Sequence, residues 1–190
     1  MRATAVRCIF VPALGRFPVE TREMMGLLPV CDINEALLAA LAQAPAMVPR
    51  HCVAGLFAAD PFLDPGAMAR ALRRAGMTGV ANYPTVQLID GATGHGLAAV
   101  GYHARSEFVR LVEMKAGGFD VLAYVASAAA AEEALALGLD QLVLHPGLAP
   151  ETVARAGPGR IEALAEAAGA CLFRHAGFGA RAGIGQPVSP

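Results

Sequence analysis

Two histidines, His145 and His175, each follow an apolar run that reads as a strand, Gln141–Leu144 and Cys171–Phe173. Imidazole titrates near neutrality, so a pair carried to one face of a sheet can serve as general acid and base. The competing reading for each is a structural histidine bonded to a carbonyl; two on one face favour the functional one. Asp60 follows a third apolar run, Val53–Phe57. Its carboxylate can ligate a hard cation or cap the Pro61-Phe62 turn. Asn82 and Thr85 follow a fourth run, Thr78–Ala81, and are separated by Tyr83 and Pro84. Proline restricts its own backbone and that of the residue before it, so this turn can fix an amide and a hydroxyl just past a strand end. There they would donate to a carboxylate or phosphate. Arg16 can grip an anion through both guanidinium edges. Glu107 lies on a helical pattern, where a merely solvated carboxylate is the competing reading.

The elements that must carry these groups alternate. Strands are expected at Ala3–Val11, Val53–Phe57, Thr78–Ala81, Phe119–Val125, Gln141–Leu144 and Cys171–Phe173. Asp32 caps a helix from Ile33 to about Ala44, and Asp64 with Pro65 starts one running to Ala75 and stopping at Gly76. Further helices are expected at Ala104–Lys115, from Ser127 through Leu137, at Pro150–Ala156 and at Arg160–Ala168. Met24–Pro29 reads as apolar and irregular, Gly91–Gly101 as a flexible lid, and the Gly- and Pro-rich tail from Phe178 as poorly ordered. The strands are unbroken apolar runs rather than alternating ones, the pattern of a parallel sheet covered on both faces. Polar residues after successive strands match the active face of a (β/α) barrel. An open doubly wound sheet is the rival, but the glycine-rich phosphate loop that usually opens its first helix is absent.

At 190 residues the chain suits one domain, and with 55% hydrophobic residues it has ample material for a large core. A formal net charge of −1 gives no electrostatic case for nucleic acid or an anionic membrane. Lys115 is the only lysine, so Schiff-base chemistry would rest on it alone. The four cysteines show no CxxC spacing, and most lie in apolar runs where cysteine acts as a small hydrophobe. With no apolar signal run and no span long enough for a membrane, a reduced cytoplasmic setting is the expectation.

Several stretches, in order, resemble one family. Asn82-Tyr83-Pro84-Thr85-Val86-Gln87-Leu88-Ile89-Asp90-Gly91 is similar to Asn-Phe-Pro-Thr-Val-Gly-Leu-Ile-Asp-Gly, the hallmark of phosphoenolpyruvate hydrolase-like TIM-barrel proteins. These belong to the phosphoenolpyruvate mutase and isocitrate lyase superfamily. Gly15-Arg16-Phe17, Gly26-Leu27-Leu28-Pro29 with Asp32 and Asn34, Ala54-Gly55 with Asp60-Pro61-Phe62, His145-Pro146-Gly147-Leu148 and His175-Ala176-Gly177 also match, across roughly residues 10 to 178. The family's Glu-Val-Glu-Met helix reads Glu107-Phe108-Val109-Arg110, without its second Glu.

The resemblance implies an α/β fold of about six parallel strands, an incomplete barrel lacking the first and last units, in a single domain over residues 1–178 with a flexible tail over 179–190. It implies an enzyme acting on phosphoenolpyruvate or a related 2-oxoacid or enol phosphate, with Mg²⁺ as cofactor and Asp60 as its ligand. His145, His175 and Asp60 would be catalytic; Asn82, Thr85, Arg16, Gly147 and Glu107 would bind substrate. The alternative is a non-catalytic binding or partner subunit derived from such a barrel. An incomplete barrel would leave apolar edges at Ala3–Val11 and Cys171–His175, so a homodimer or a hetero-partner completing the barrel is expected.

Overall fold

The computed structural model describes residues 8–43, 52–147, 157–178 and 182–187. The helix expected at Pro150–Ala156 lies outside them. Six strands run parallel in sequence order: β1 (Cys8–Phe10), β2 (Cys52–Leu56), β3 (Gly79–Asn82), β4 (Asp120–Val125), β5 (Gln141–Leu144) and β6 (Cys171–Phe178). Between them lie α1 (Arg22–Leu27), α2 (Ile33–Gln43), α3 (Pro65–Arg74), α4 (Gly91–Ala99), α5 (Ala104–Ala116), α6 (Ala128–Ala136) and α7 (Pro158–Ala167). This is the expected α/β architecture, a (β/α) barrel with six parallel strands rather than eight.

The caps expected from the sequence form. Asp64 Oδ1 accepts from the N–H groups of Gly66 and Ala67, and Ser127 Oγ accepts from Ala130 N–H. Asp32 Oδ1 accepts from Glu35 N–H.

Strand alternation divides the core in two. Ala54, Leu56, Val80, Val121, Ala123, Leu142 and Leu172 pack with helix residues such as Leu72, Phe108, Leu111, Ala131 and Ile161. The intervening residues, Ile9, Val53, Ala81, Leu122, Val143 and Phe173, form a separate cluster that fills the barrel.

The tail departs from expectation. Ala182–Pro187 forms β7, antiparallel to both β1 and β6, and the seven strands close a ring. Low β propensity is outweighed here because two apolar edges offer unpaired N–H and C=O groups to the same segment. The open gap between the first and last parallel strands is therefore bridged by β7. Two connections also differ. Met24–Pro29 begins inside α1, and Gly91–Ala99 is helical although none of its residues is buried. Asp90 precedes that helix, and glycine at φ 62° opens it. Cys8 and Cys52, register partners on β1 and β2 with Cα atoms 4.4 Å apart, are joined as a disulfide, a pairing that sequence spacing did not suggest.

One close approach sets the barrel's bore. A Cβ built on Gly55 would meet Val11 Cγ2 at 2.4 Å and the Tyr83 carbonyl oxygen at 2.6 Å. Gly55→Ala is expected to cost about 1–3 kcal/mol through overpacking, read by urea denaturation. Gly15→Ala, with nothing within 4 Å of the new methyl, should shift stability by less than about 0.5 kcal/mol.

Candidate active site

Alternation at the end of β3 sends neighbouring side chains of the hallmark in opposite directions. Asn82 turns outward, toward α5. Its Nδ2 donates to Glu107 Oε2 (2.8 Å) and to the Tyr124 carbonyl (3.2 Å), and its Oδ1 accepts from Tyr124 N–H (2.7 Å). Thr85 Oγ1 donates to Glu107 Oε2 (2.7 Å), Val86 N–H to Oε1 (2.8 Å) and Gln87 Nε2 to Oε2 (3.1 Å). Gln87 also donates to the Tyr124 carbonyl and accepts from Ala126 N–H. Glu107 is thus fully buried inside the hallmark turn rather than solvated. Burial pushes its carboxyl up to about 7, against the opposing pull of hydrogen bonds from Thr85, Val86, Asn82 and Gln87.

Tyr83 turns inward. With Tyr124 at the end of β4, His145 just past β5 and His175 on β6, it forms a layer of four rings across the barrel's C-terminal mouth. The imidazoles stack with centroids 4.9 Å apart, and the two phenols stand 4.9 Å apart. Onto this layer α1 lowers one carboxylate. Glu23 Oε1 accepts from Tyr83 OH (2.5 Å) and lies 2.9 Å from His145 Nε2 and 3.3 Å from His175 Nε2. Desolvation alone would raise the Glu23 carboxyl, but hydrogen bonds from His145, His175 and Tyr83 outweigh it and hold the group well below the usual carboxylate range. Burial, and then the Glu23 charge, push the Tyr83 phenol far above its ordinary value, and burial does the same for Tyr124. Both phenols therefore keep their protons at neutral pH.

The proton on His145 can be placed from its neighbours. Gly147 N–H donates to His145 Nδ1 at 2.9 Å, helped by the left-handed φ of 89° at Gly147. A backbone N–H cannot accept, so Nδ1 carries no proton and Nε2–H points at Glu23. On the other ring, Tyr124 OH meets His175 Nδ1 at 3.0 Å.

Glu23, His145 and His175 are the one group of metal-ligand type among the described residues, with ligand atoms within 4.8 Å of one another. The group does not suit the expected Mg²⁺, which takes oxygen ligands near octahedral geometry. Its nitrogen-rich set suits borderline transition ions better. Ligation through His145 Nε2 is opposed as well, since a ligating imidazole nitrogen must be unprotonated and Nδ1 is committed to Gly147. Asp60, the expected Mg²⁺ ligand, lies outside this group. Its Oδ1 accepts from Phe62 N–H and its Oδ2 from Asn34 Nδ2, and Asn34 in turn exchanges hydrogen bonds with the Phe57 backbone. Asp60 thus closes the turn after β2 and ties it to α2.

The remaining candidates divide. His145, His175 and, through its backbone, Gly147 meet at the mouth. Asn82 and Thr85 end on Glu107. Arg16 is exposed at the end of a 3₁₀ turn, Pro12–Arg16, after β1. A cavity of about 580 Å³ lies beside the mouth, lined by Gly26 to Ile33, Phe57, Asp60, Val86, Ile89, Leu97 and Tyr102. Helix α1 borders both, giving Gly26 and Leu27 to the cavity and Glu23 to the rings. Sequence reasoning missed Glu23, Tyr124 and Gln87. Tyr124 carried a signal, being the one polar-tipped residue in the apolar run of β4; Glu23 carried none beyond its nearness to Gly26-Leu27-Leu28-Pro29.

Six parallel strands, closed into a ring by antiparallel β7, with a carboxylate, two imidazoles and two phenols at their C-terminal ends define a (β/α)-barrel protein with an acid–base cluster where such barrels carry their active sites. The chain belongs to the phosphoenolpyruvate hydrolase-like family, whose model matches residues 2–183. That family is of the phosphoenolpyruvate mutase and isocitrate lyase type. The uncharacterized protein y4oT of Sinorhizobium fredii is 38% identical over 117 residues, covering 62% of this chain and 59% of y4oT. The ToMV resistance protein Tm-1(GCR237) and the ToMV susceptible protein tm-1(GCR26) of Solanum lycopersicum are each 32% identical over 139 residues, covering 70% of this chain but only 18% of their own length. Among the described residues no helix is long and apolar enough to cross a membrane.

Proposed function

We propose that the barrel mouth binds phosphoenolpyruvate or a related 2-oxoacid or enol phosphate, and that His145 and His175 move a proton on the bound molecule. The observation that carries this reading is the convergence of Tyr83 OH, His145 Nε2–H and His175 Nε2 on a single carboxylate oxygen at the C-terminal strand ends. A 2-oxoacid presents a carboxylate of the same chemistry, and its enol needs a proton delivered to carbon on the way to the keto acid. With phosphoenolpyruvate and water, cleavage of the phosphate ester would release phosphate and the enol, which takes one proton at its methylene carbon and gives up its hydroxyl proton to become pyruvate. Of the other candidates, Gly147 fixes the His145 tautomer, while Asn82, Thr85 and Glu107 set the backbone from which Tyr83 and Tyr124 project. No step is routed through Mg²⁺, for which the described residues supply no oxygen-rich set.

The test is release of pyruvate and inorganic phosphate from phosphoenolpyruvate by the purified chain, with and without Mg²⁺. His145→Gln should lower any turnover at least about 100-fold, the ordinary worth of a positioned acid–base group. The arrangement of Glu23 over the donors supports a second reading, a binding subunit without turnover. That reading predicts phosphoenolpyruvate binding by calorimetry with no product formed. A chain that neither binds nor converts the oxoacids would sink both.

A further inference from the structure

The donors at the mouth already have an acceptor, and it belongs to the protein. Tyr83 OH, His145 Nε2–H and His175 Nε2 all face Glu23 Oε1, within 2.5 to 3.3 Å. Each donor is set from behind. Gly147 N–H fixes the proton of His145 on Nε2, Tyr124 OH meets Nδ1 of His175, and Tyr83, directly after strand β3, donates its N–H to the Ala81 carbonyl. Such a set is built before any ligand arrives, and its geometry is that of a receptor for one carboxylate oxygen.

Apart from Glu23 and Gly26, the element supplying the acceptor has little holding it. Helix α1 has six residues, its N-cap Thr21 makes no side-chain cap bond, and Gly26 is its only buried residue. Gly26 packs closely on Leu14 and Pro84, and a Cβ there would meet Leu14 Cδ2 at 2.7 Å. The Arg22 guanidinium donates to the Phe17 carbonyl, 3.0 and 3.2 Å from its two nitrogens. The neighbouring cavity of about 580 Å³ gives a displaced helix somewhere to go. A short segment with little buried surface, beside a cavity, is where local opening costs least.

We infer that Glu23 is a built-in stand-in for the substrate carboxylate, and that α1 is a displaceable plug which a 2-oxoacid or enol phosphate must lift to reach His145, His175 and Tyr83. This rests on the reading of the mouth as an oxoacid site. It adds that the resting protein is self-occupied and that its apparent affinity is reduced by the fraction of time Glu23 holds the donors.

Isothermal titration with pyruvate and with phosphoenolpyruvate, on the parent chain and on Glu23→Ala, tests it. Removing the internal acceptor should tighten binding of both ligands at least about tenfold. A second measurement, hydrogen exchange on the parent chain, stands if Glu23→Ala fails to fold. There, saturating phosphoenolpyruvate should speed exchange of the Arg22–Leu27 amides while the strands stay unchanged. Binding to Glu23→Ala that is equal to the parent's or weaker, or α1 amides that slow or hold steady in the liganded parent, would overturn the plug while leaving the oxoacid site standing. Absence of binding to either protein would remove both.

Discussion

Replacing Glu107 by Ala is expected to destabilise the protein by about 3–5 kcal/mol, measured by urea denaturation near pH 7. Four donors converge on this one carboxylate: Asn82 Nδ2, Thr85 Oγ1, Val86 N–H and Gln87 Nε2. The site is sealed, since Glu107, Asn82 and Thr85 have no exposed surface. After truncation Asn82 and Gln87 keep their bonds to the Tyr124 carbonyl, but Val86 N–H and the Thr85 hydroxyl lose their acceptor. Each orphaned buried group costs about 1–3 kcal/mol, and the cavity adds to it. Glu107→Gln separates shape from acceptor capacity. The amide oxygen can take the Oε2 position and keep three donors, which leaves its NH₂ facing Val86 N–H. The cost should then fall to about 1–3 kcal/mol. A Glu107→Ala variant within about 1 kcal/mol of the parent would show that the cage does not hold the hallmark turn.

That cage also bears on how far the site could be read beforehand. The order of strands and helices was legible because buried parallel strands leave unbroken apolar runs and because Asp32, Asp64 and Ser127 mark helix starts. Asn82 and Thr85 were expected just past a strand end; Asn82 is the last residue of β3 and Thr85 lies beyond it, but the direction they face was not in the sequence. The two-residue period assigns Asn82 and Tyr83 to opposite sides without saying which is inside. The structure puts the aromatic residue inside, where its hydroxyl reaches Glu23, and gives the polar pair to α5. Glu107 looked solvated because its partners lie 20 to 25 residues away, beyond any helical spacing. Glu23 was invisible for the same reason, standing 122 residues from His145. The tail read as disordered because propensity is a property of the segment, whereas the pull of two unpaired strand edges is a property of the fold.

Stability should fall as pH rises from about 4.5 to about 7, by an amount on the order of 3 kcal/mol, because of Glu107. Its native carboxyl is raised to about 7 from an ordinary 4.5. Between those values the native state holds a proton that the unfolded state has released, so rising pH favours unfolding. Below 4.5 both states are protonated, and above 7 both are ionised, so the loss is confined to the window between. Glu23 acts with the opposite sign. Its native carboxyl lies below the ordinary 4.5, so its contribution is complete above 4.5 and is lost as pH falls further. The two effects together place the stability maximum near pH 5 rather than at neutrality. Urea denaturation at intervals from pH 4 to 8 measures the curve, and the same series on Glu107→Gln isolates its cause. The variant's curve should lack the decline between 4.5 and 7, so the difference between the two proteins narrows with rising pH. Parallel curves would mean that the four donors hold Glu107 ionised against its burial. The cage would then be an anion site filled by the protein's own charge, as the mouth is by Glu23.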